Sequence, residues 1–104
     1  MKFYISGGIT GVPHYLETFK EVENYLVMQG IEVVNPTTLK HDHDKSYEAY
    51  MKEDIKELLL CDAIFMISGW GKSLGAVFEH EVAKTCGIKT LYENFCRKDI
   101  SARV

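Results

Sequence analysis

The chain lacks the features that would assign it to a membrane, a secretory route or a nucleic-acid polymer. None of its apolar runs approaches the ~20 residues of a membrane-spanning helix. Met1-Lys2-Phe3-Tyr4-Ile5-Ser6 has neither the longer apolar stretch nor the small-residue cleavage site of a signal peptide, so a cytoplasmic protein is expected. Positive charge is not in excess. The formal net charge is −3, whereas DNA, RNA and anionic lipid surfaces select basic faces. We therefore expect no nucleic-acid polymer and no membrane as partner. A single nucleotide stays admissible, because it needs only local donors. Cys61, Cys86 and Cys96 are odd in number and show no C-x-x-C spacing. They read as reduced thiols, two of them in the core, and not as a zinc site. No repeat, low-complexity stretch or linker divides the 104 residues, so residues 1–104 form one domain, with 93–104 as a loose polar tail.

What is present is an alternation of short apolar runs and helical stripes. Phe3-Tyr4-Ile5 is a strand ended by Ser6-Gly7-Gly8. From Pro13 to Gln29, Tyr15, Phe19, Val22 and Leu26 recur at helical spacing, with Gly30 just past the end. Ile31 to Val34 is a second strand, stopped by Asn35-Pro36. Ser46 to Cys61 is a helix with Tyr47, Met51, Ile55 and Leu58 on one stripe. Asp62 to Ile67 is a third strand, Ser73 to Cys86 a third helix closed by Gly87, and Ile88 to Tyr92 a fourth strand. The order β-α-β-α-β-α-β predicts an α/β fold: a small flavodoxin- or Rossmann-like three-layer sandwich, with a parallel sheet of about four strands and helices on both faces. In such sheets ligands collect beyond the carboxyl ends of the strands. Three segments fall there: the Ser6–Gly11 loop, Asn35-Pro36, and the Ser68–Gly75 turn.

Glu79 stands out among the polar residues of those elements. It lies six residues after Ser73, within an otherwise apolar helix of Ala76, Val77, Phe78, Val82 and Ala83. A carboxylate there needs a partner or a task. One possibility is a structural pair with Lys72 or His80. The other is a site, since the helix start at Ser73 and Gly75 offers free N–H groups to an anion such as phosphate. Ser6-Gly7-Gly8-Ile9-Thr10-Gly11 either brings backbone amides to an anion or merely turns the chain. It is not G-x-G-x-x-G, and Gly71-Lys72-Ser73 is not a P-loop, because Met66 stands where the first glycine belongs. Asp54 and Tyr50 share one helix face. Asp62 opens a strand and could serve as a turn acceptor. Trp70 could stack on a nucleobase, or close a hydrophobic lid or dimer contact. His41-Asp42-His43-Asp44 has metal-ligand residue types but reads as solvated loop. No metal or cofactor is expected.

The assembled residues resemble the nucleoside 2-deoxyribosyltransferase superfamily, and within it the small 2′-deoxynucleoside 5′-phosphate N-hydrolases and their short phage and bacterial relatives. The resemblance runs over roughly residues 1–92. It is carried by Tyr4-Ile5-Ser6-Gly7-Gly8-Ile9-Thr10-Gly11, Asn35-Pro36, Asp54-Ile55, Asp62-Ala63, Gly69-Trp70 and Ser73-Leu74-Gly75-Ala76-Val77-Phe78-Glu79. It implies cleavage of an N-glycosidic bond in a nucleoside or nucleoside 5′-monophosphate, by hydrolysis or deoxyribosyl transfer. Glu79 would be the nucleophile and Asp54 the second acid. Ser6, Gly7, Gly8 and Ser73 would hold the 5′ end. Tyr4, Ile9, Asn35, Asp62, Trp70 and Gly75 complete the expected substrate-binding set, and a homodimer or higher homo-oligomer is implied. Thr10 stands where the phosphate hydrolases carry arginine, and His80-Glu81 follows the nucleophile position. These departures motivate the alternative of a non-catalytic nucleotide-binding protein, a sensor or sequestering factor.

Overall fold

A computed structural model describes residues 1–39 and 46–93. Four strands, β1 (Lys2–Ser6), β2 (Glu32–Val34), β3 (Ala63–Met66) and β4 (Lys89–Tyr92), alternate with three helices, α1 (Tyr15–Met28), α2 (Tyr47–Leu58) and α3 (Leu74–Thr85). All pairings are parallel, in the order β2-β1-β3-β4. The expected α/β sandwich is therefore the fold observed. His41 to Asp44 and the segment beyond Glu93, including Cys96, lie outside the described residues.

The period of two along the strands explains the layering. Phe3 and Ile5 of β1 join Phe65 of β3 in one apolar cluster with Phe19, Val22 and Leu26 of α1. Tyr4, with Ile64 and Met66 of β3, points the other way and packs with Leu58 of α2 and Ala76 and Ala83 of α3. Both central strands are thus covered on both faces, which is why they read as continuous hydrophobic runs. Of the two described cysteines, Cys61 is buried on the α2–α3 side and Cys86 is exposed.

Element ends differ from expectation for local reasons. Helix α1 starts at Tyr15 and not Pro13, because His14 sits at φ 58°, outside helical geometry. Helix α2 stops at Leu58, and the chain tightens through i→i−3 bonds from Leu60 N to Glu57 O and Cys61 N to Leu58 O before entering β3. Ser46 and Ser73 each cap a helix, accepting from the N–H of Ala49 and Ala76 respectively.

The chain moves outward from β1 to β2 and then crosses back to β3, so the strand order reverses between β1 and β3. Helix α1 leaves β1 on one face of the sheet and α3 leaves β3 on the other. A crevice opens between the two exits, at the carboxyl ends of the strands.

Candidate active site

A cavity of about 770 Å³ fills that crevice. Its walls come from four segments: Gly7, Gly8, Ile9, Thr10 and Val12 of the β1–α1 loop with Tyr15, Pro36 and Thr37 after β2, one face of α2, and the stretch from Gly69 to Glu79. Helix α2 contributes Tyr47, Tyr50, Met51 and Asp54, residues that its periodicity places on one side.

Glu79 is the buried charge of this cavity, at 5% exposure. Two hydroxyls of β1 hold it. Tyr4 Oη donates to Oε2 at 2.7 Å and Ser6 Oγ donates to Oε1 at 2.6 Å. Tyr4 and Ser6 are two residues apart and so share the face of the sheet that meets α3. A tyrosine at the centre of a buried strand needs a partner for its hydroxyl, and this parity is the sequence signal that could have foreseen the pair. Neither Lys72 nor His80 pairs with Glu79. Burial pushes the Glu79 carboxyl up to about 7; the hydrogen bonds from Ser6 and Tyr4 pull the other way, and the nearby Asp54 charge adds to the rise. Tyr4 is raised well above the usual phenol range, first by burial and then by the Glu79 and Asp54 carboxylates.

The β1–α1 loop and the β3–α3 turn approach closely. A Cβ on Gly8 would lie 3.7 Å from the Ser73 Cβ, and one on Gly7 would lie 2.9 Å from the Cβ of Ile67. Glycine at position 7 lets the loop press against the end of β3. The Ser73 oxygen accepts from Ala76 N–H at 3.2 Å, which leaves its own O–H able to donate into the cavity it lines. Lys72 lines the same wall and is exposed.

The structure thus brings together Gly7, Gly8, Ile9, Asp54, Ser73, Gly75 and Glu79 around one cavity, with Tyr4 and Ser6 behind Glu79. Three expected binding residues fall elsewhere. Asp62 is exposed at the amino end of β3, where it accepts from the backbone N–H of Lys2 at 2.8 Å. It joins strands at the end of the sheet away from the cavity. Trp70 does not line the cavity. Its ring packs on His80, centroids 4.3 Å apart, and near Tyr92, whose Oη lies 2.7 Å from His80 Nε2. Asn35 is buried behind the wall. Its Oδ1 accepts from Thr37 N and Oγ1, and its Nδ2 donates to Glu23 Oε1, so it shapes the turn that presents Pro36 and Thr37. Tyr15, Tyr47 and Thr37 also line the cavity; the two tyrosines, as stripe residues of amphipathic helices, look like core until the facing element is located, and Thr37 reads as a polar loop residue.

The fold also has a solved counterpart. A 2-deoxyribosyltransferase from the psychrotolerant bacterium Bacillus psychrosaccharolyticus, described as a biocatalyst for the synthesis of nucleosides, superposes with a TM-score of 0.69. The match covers 88% of this chain and 71% of that one at 19% identity, a likeness of fold. No curated protein matches the sequence. A family model, described as a domain of unknown function, matches residues 1–92, and the chain belongs to that family, DUF4406.

Proposed function

We propose that the protein is a nucleoside-processing enzyme of the 2-deoxyribosyltransferase-like superfamily, which cleaves the N-glycosidic bond of a nucleoside or nucleoside 5′-monophosphate. The observation that supports it is the pair of acidic side chains, Glu79 and Asp54, on one cavity, with Glu79 buried and gripped at both oxygens. Ionised Glu79 attacks the anomeric carbon as the bond to the base nitrogen breaks, giving a glycosyl ester. Asp54 delivers a proton to the departing base and then, as carboxylate, takes one from the incoming water. A second base in place of water gives transfer. An anionic 5′ end finds donors in the Gly7 and Gly8 loop, the Ser73 hydroxyl and the Lys72 ammonium.

The test is incubation with deoxynucleosides and their 5′-monophosphates, with free base measured by chromatography. Base release that disappears in Glu79→Ala is the expected result. No release from any of these substrates, or release undiminished in the variant, overturns the proposal. A ligand that stabilises the protein and is recovered intact marks instead a nucleotide-binding protein without catalysis.

A further inference from the structure

Ser6 differs from the other loop and turn residues of the site in where its polar atom goes. It is the last residue of β1, 1% exposed, and it does not line the cavity. Its hydroxyl is committed to Oε1 of Glu79 at 2.6 Å. Its backbone is fixed on both sides: its carbonyl accepts from Ile67 N at 2.8 Å, and the next residue, Gly7, is wedged against Ile67. Tyr4 takes the other oxygen of the same carboxylate. A group whose two oxygens each accept from an O–H is suited as a carboxylate. As an acid it carries its own O–H and has one acceptor position fewer for the two hydroxyls.

We propose that Ser6 is a positioning residue that locks Oε1 of Glu79, holding the side chain in one orientation and in its charged form, and does not hold the 5′ end of the substrate. The consequence for turnover rests on the reading of Glu79 as nucleophile; the consequence for the carboxylate itself does not. The groups that face Glu79 are Tyr4 and Ser6 from β1 and Asp54 from α2. Among the described residues, Lys72 and the tyrosines 15, 47 and 50 complete the ionisable lining of the cavity. On α3 the neighbouring His80 is engaged with Trp70 and Tyr92. Neither Ser6 nor Tyr4 lines the cavity, so the Ser6 donor can be removed without altering a cavity wall.

Glutamate labelled with ¹³C at Cδ, assigned through Glu79→Gln, allows the Glu79 titration to be followed by NMR with no substrate present. In Ser6→Ala the midpoint is expected to rise by about one pH unit, the size of a lost hydrogen bond to a charged group. Ser6→Cys, with its weaker donor, is expected between wild type and Ser6→Ala. An unchanged midpoint in both variants overturns the proposal. Should neither variant fold, the wild type decides. A Ser6 hydroxyl proton protected from exchange, and lost as Glu79 titrates, supports the lock; a freely exchanging one overturns it. Where base release is measurable, Ser6→Ala should lower kcat at neutral pH several-fold and move the acid limb upward, with KM within about twofold. A raised KM at unchanged kcat would assign Ser6 to substrate binding and overturn the proposal. Absence of base release in wild type refutes the enzymatic proposal and leaves the titration result standing.

Discussion

Glu79 is held at a cost to the fold. Its folded carboxyl lies near 7 against an ordinary 4.5, so the folded state binds more protons than the unfolded state between these values. Stability from this group therefore declines as pH rises from about 4.5 to about 7 and stays reduced above that. Removing the charge should reverse the effect: Glu79→Gln is expected to be more stable than wild type at pH 8, by about 1–3 kcal/mol, and the difference should shrink toward pH 5. Urea denaturation at the two pH values measures it. A Glu79→Gln protein no more stable at pH 8 than at pH 5, relative to wild type, contradicts this account. In the proposed reaction the same residue would set the pH dependence of turnover. Base release by the wild type should fall as pH drops below about 7, because the attacking form is the carboxylate.

At the scale of elements, Gly75 separates the role of a small residue from that of a flexible backbone. It lies in the first turn of α3, and an added Cβ would sit 3.4 Å from Met51 Sδ and 3.6 Å from Tyr47 Oη, ordinary contacts. Its glycine thus serves cavity space between α2 and α3. Gly75→Ala is expected to raise stability by up to about 1 kcal/mol through helix propensity while weakening ligand binding. Thermal denaturation together with ligand titration checks both signs. The elements themselves were legible in the sequence. Apolar periodicity, Ser46 and Ser73 as helix starts, and Gly30 and Gly87 as stops place every strand and helix to within a few residues. The chain order alone implied the crevice, and hence the meeting of Gly7, Gly8, Ser73 and Glu79. Partners set by side-chain direction were not legible. Asp62 and Trp70 lie beside motif residues in sequence, yet the strand sends Asp62 to the opposite end of the sheet and the β3–α3 turn sends Trp70 onto His80. Sequence neighbours offer Glu79 the charged Lys72 and His80, whereas the strand supplies two neutral hydroxyls.

Over the whole molecule, the cavity is assembled from residues 7–15, 36–37, 47–54 and 69–79, which meet only when sheet and helices are all in place. No helix among the described residues is long and apolar enough to cross a membrane. Leu74 and Phe78, 85% and 53% exposed, lie four residues apart on α3 and leave an apolar strip at the surface. Self-association through this strip is expected. Sedimentation velocity at micromolar concentration should give a dimer or larger species, and the double change Leu74→Ser with Phe78→Ser should give a monomer; a wild-type monomer refutes it. Trp70 is the single tryptophan of the chain, and its ring rests against the imidazole that follows Glu79. The protein consequently contains its own optical gauge. Every photon of indole emission originates at the turn leading into α3, so its colour follows the wetting of that one spot, without any attached dye.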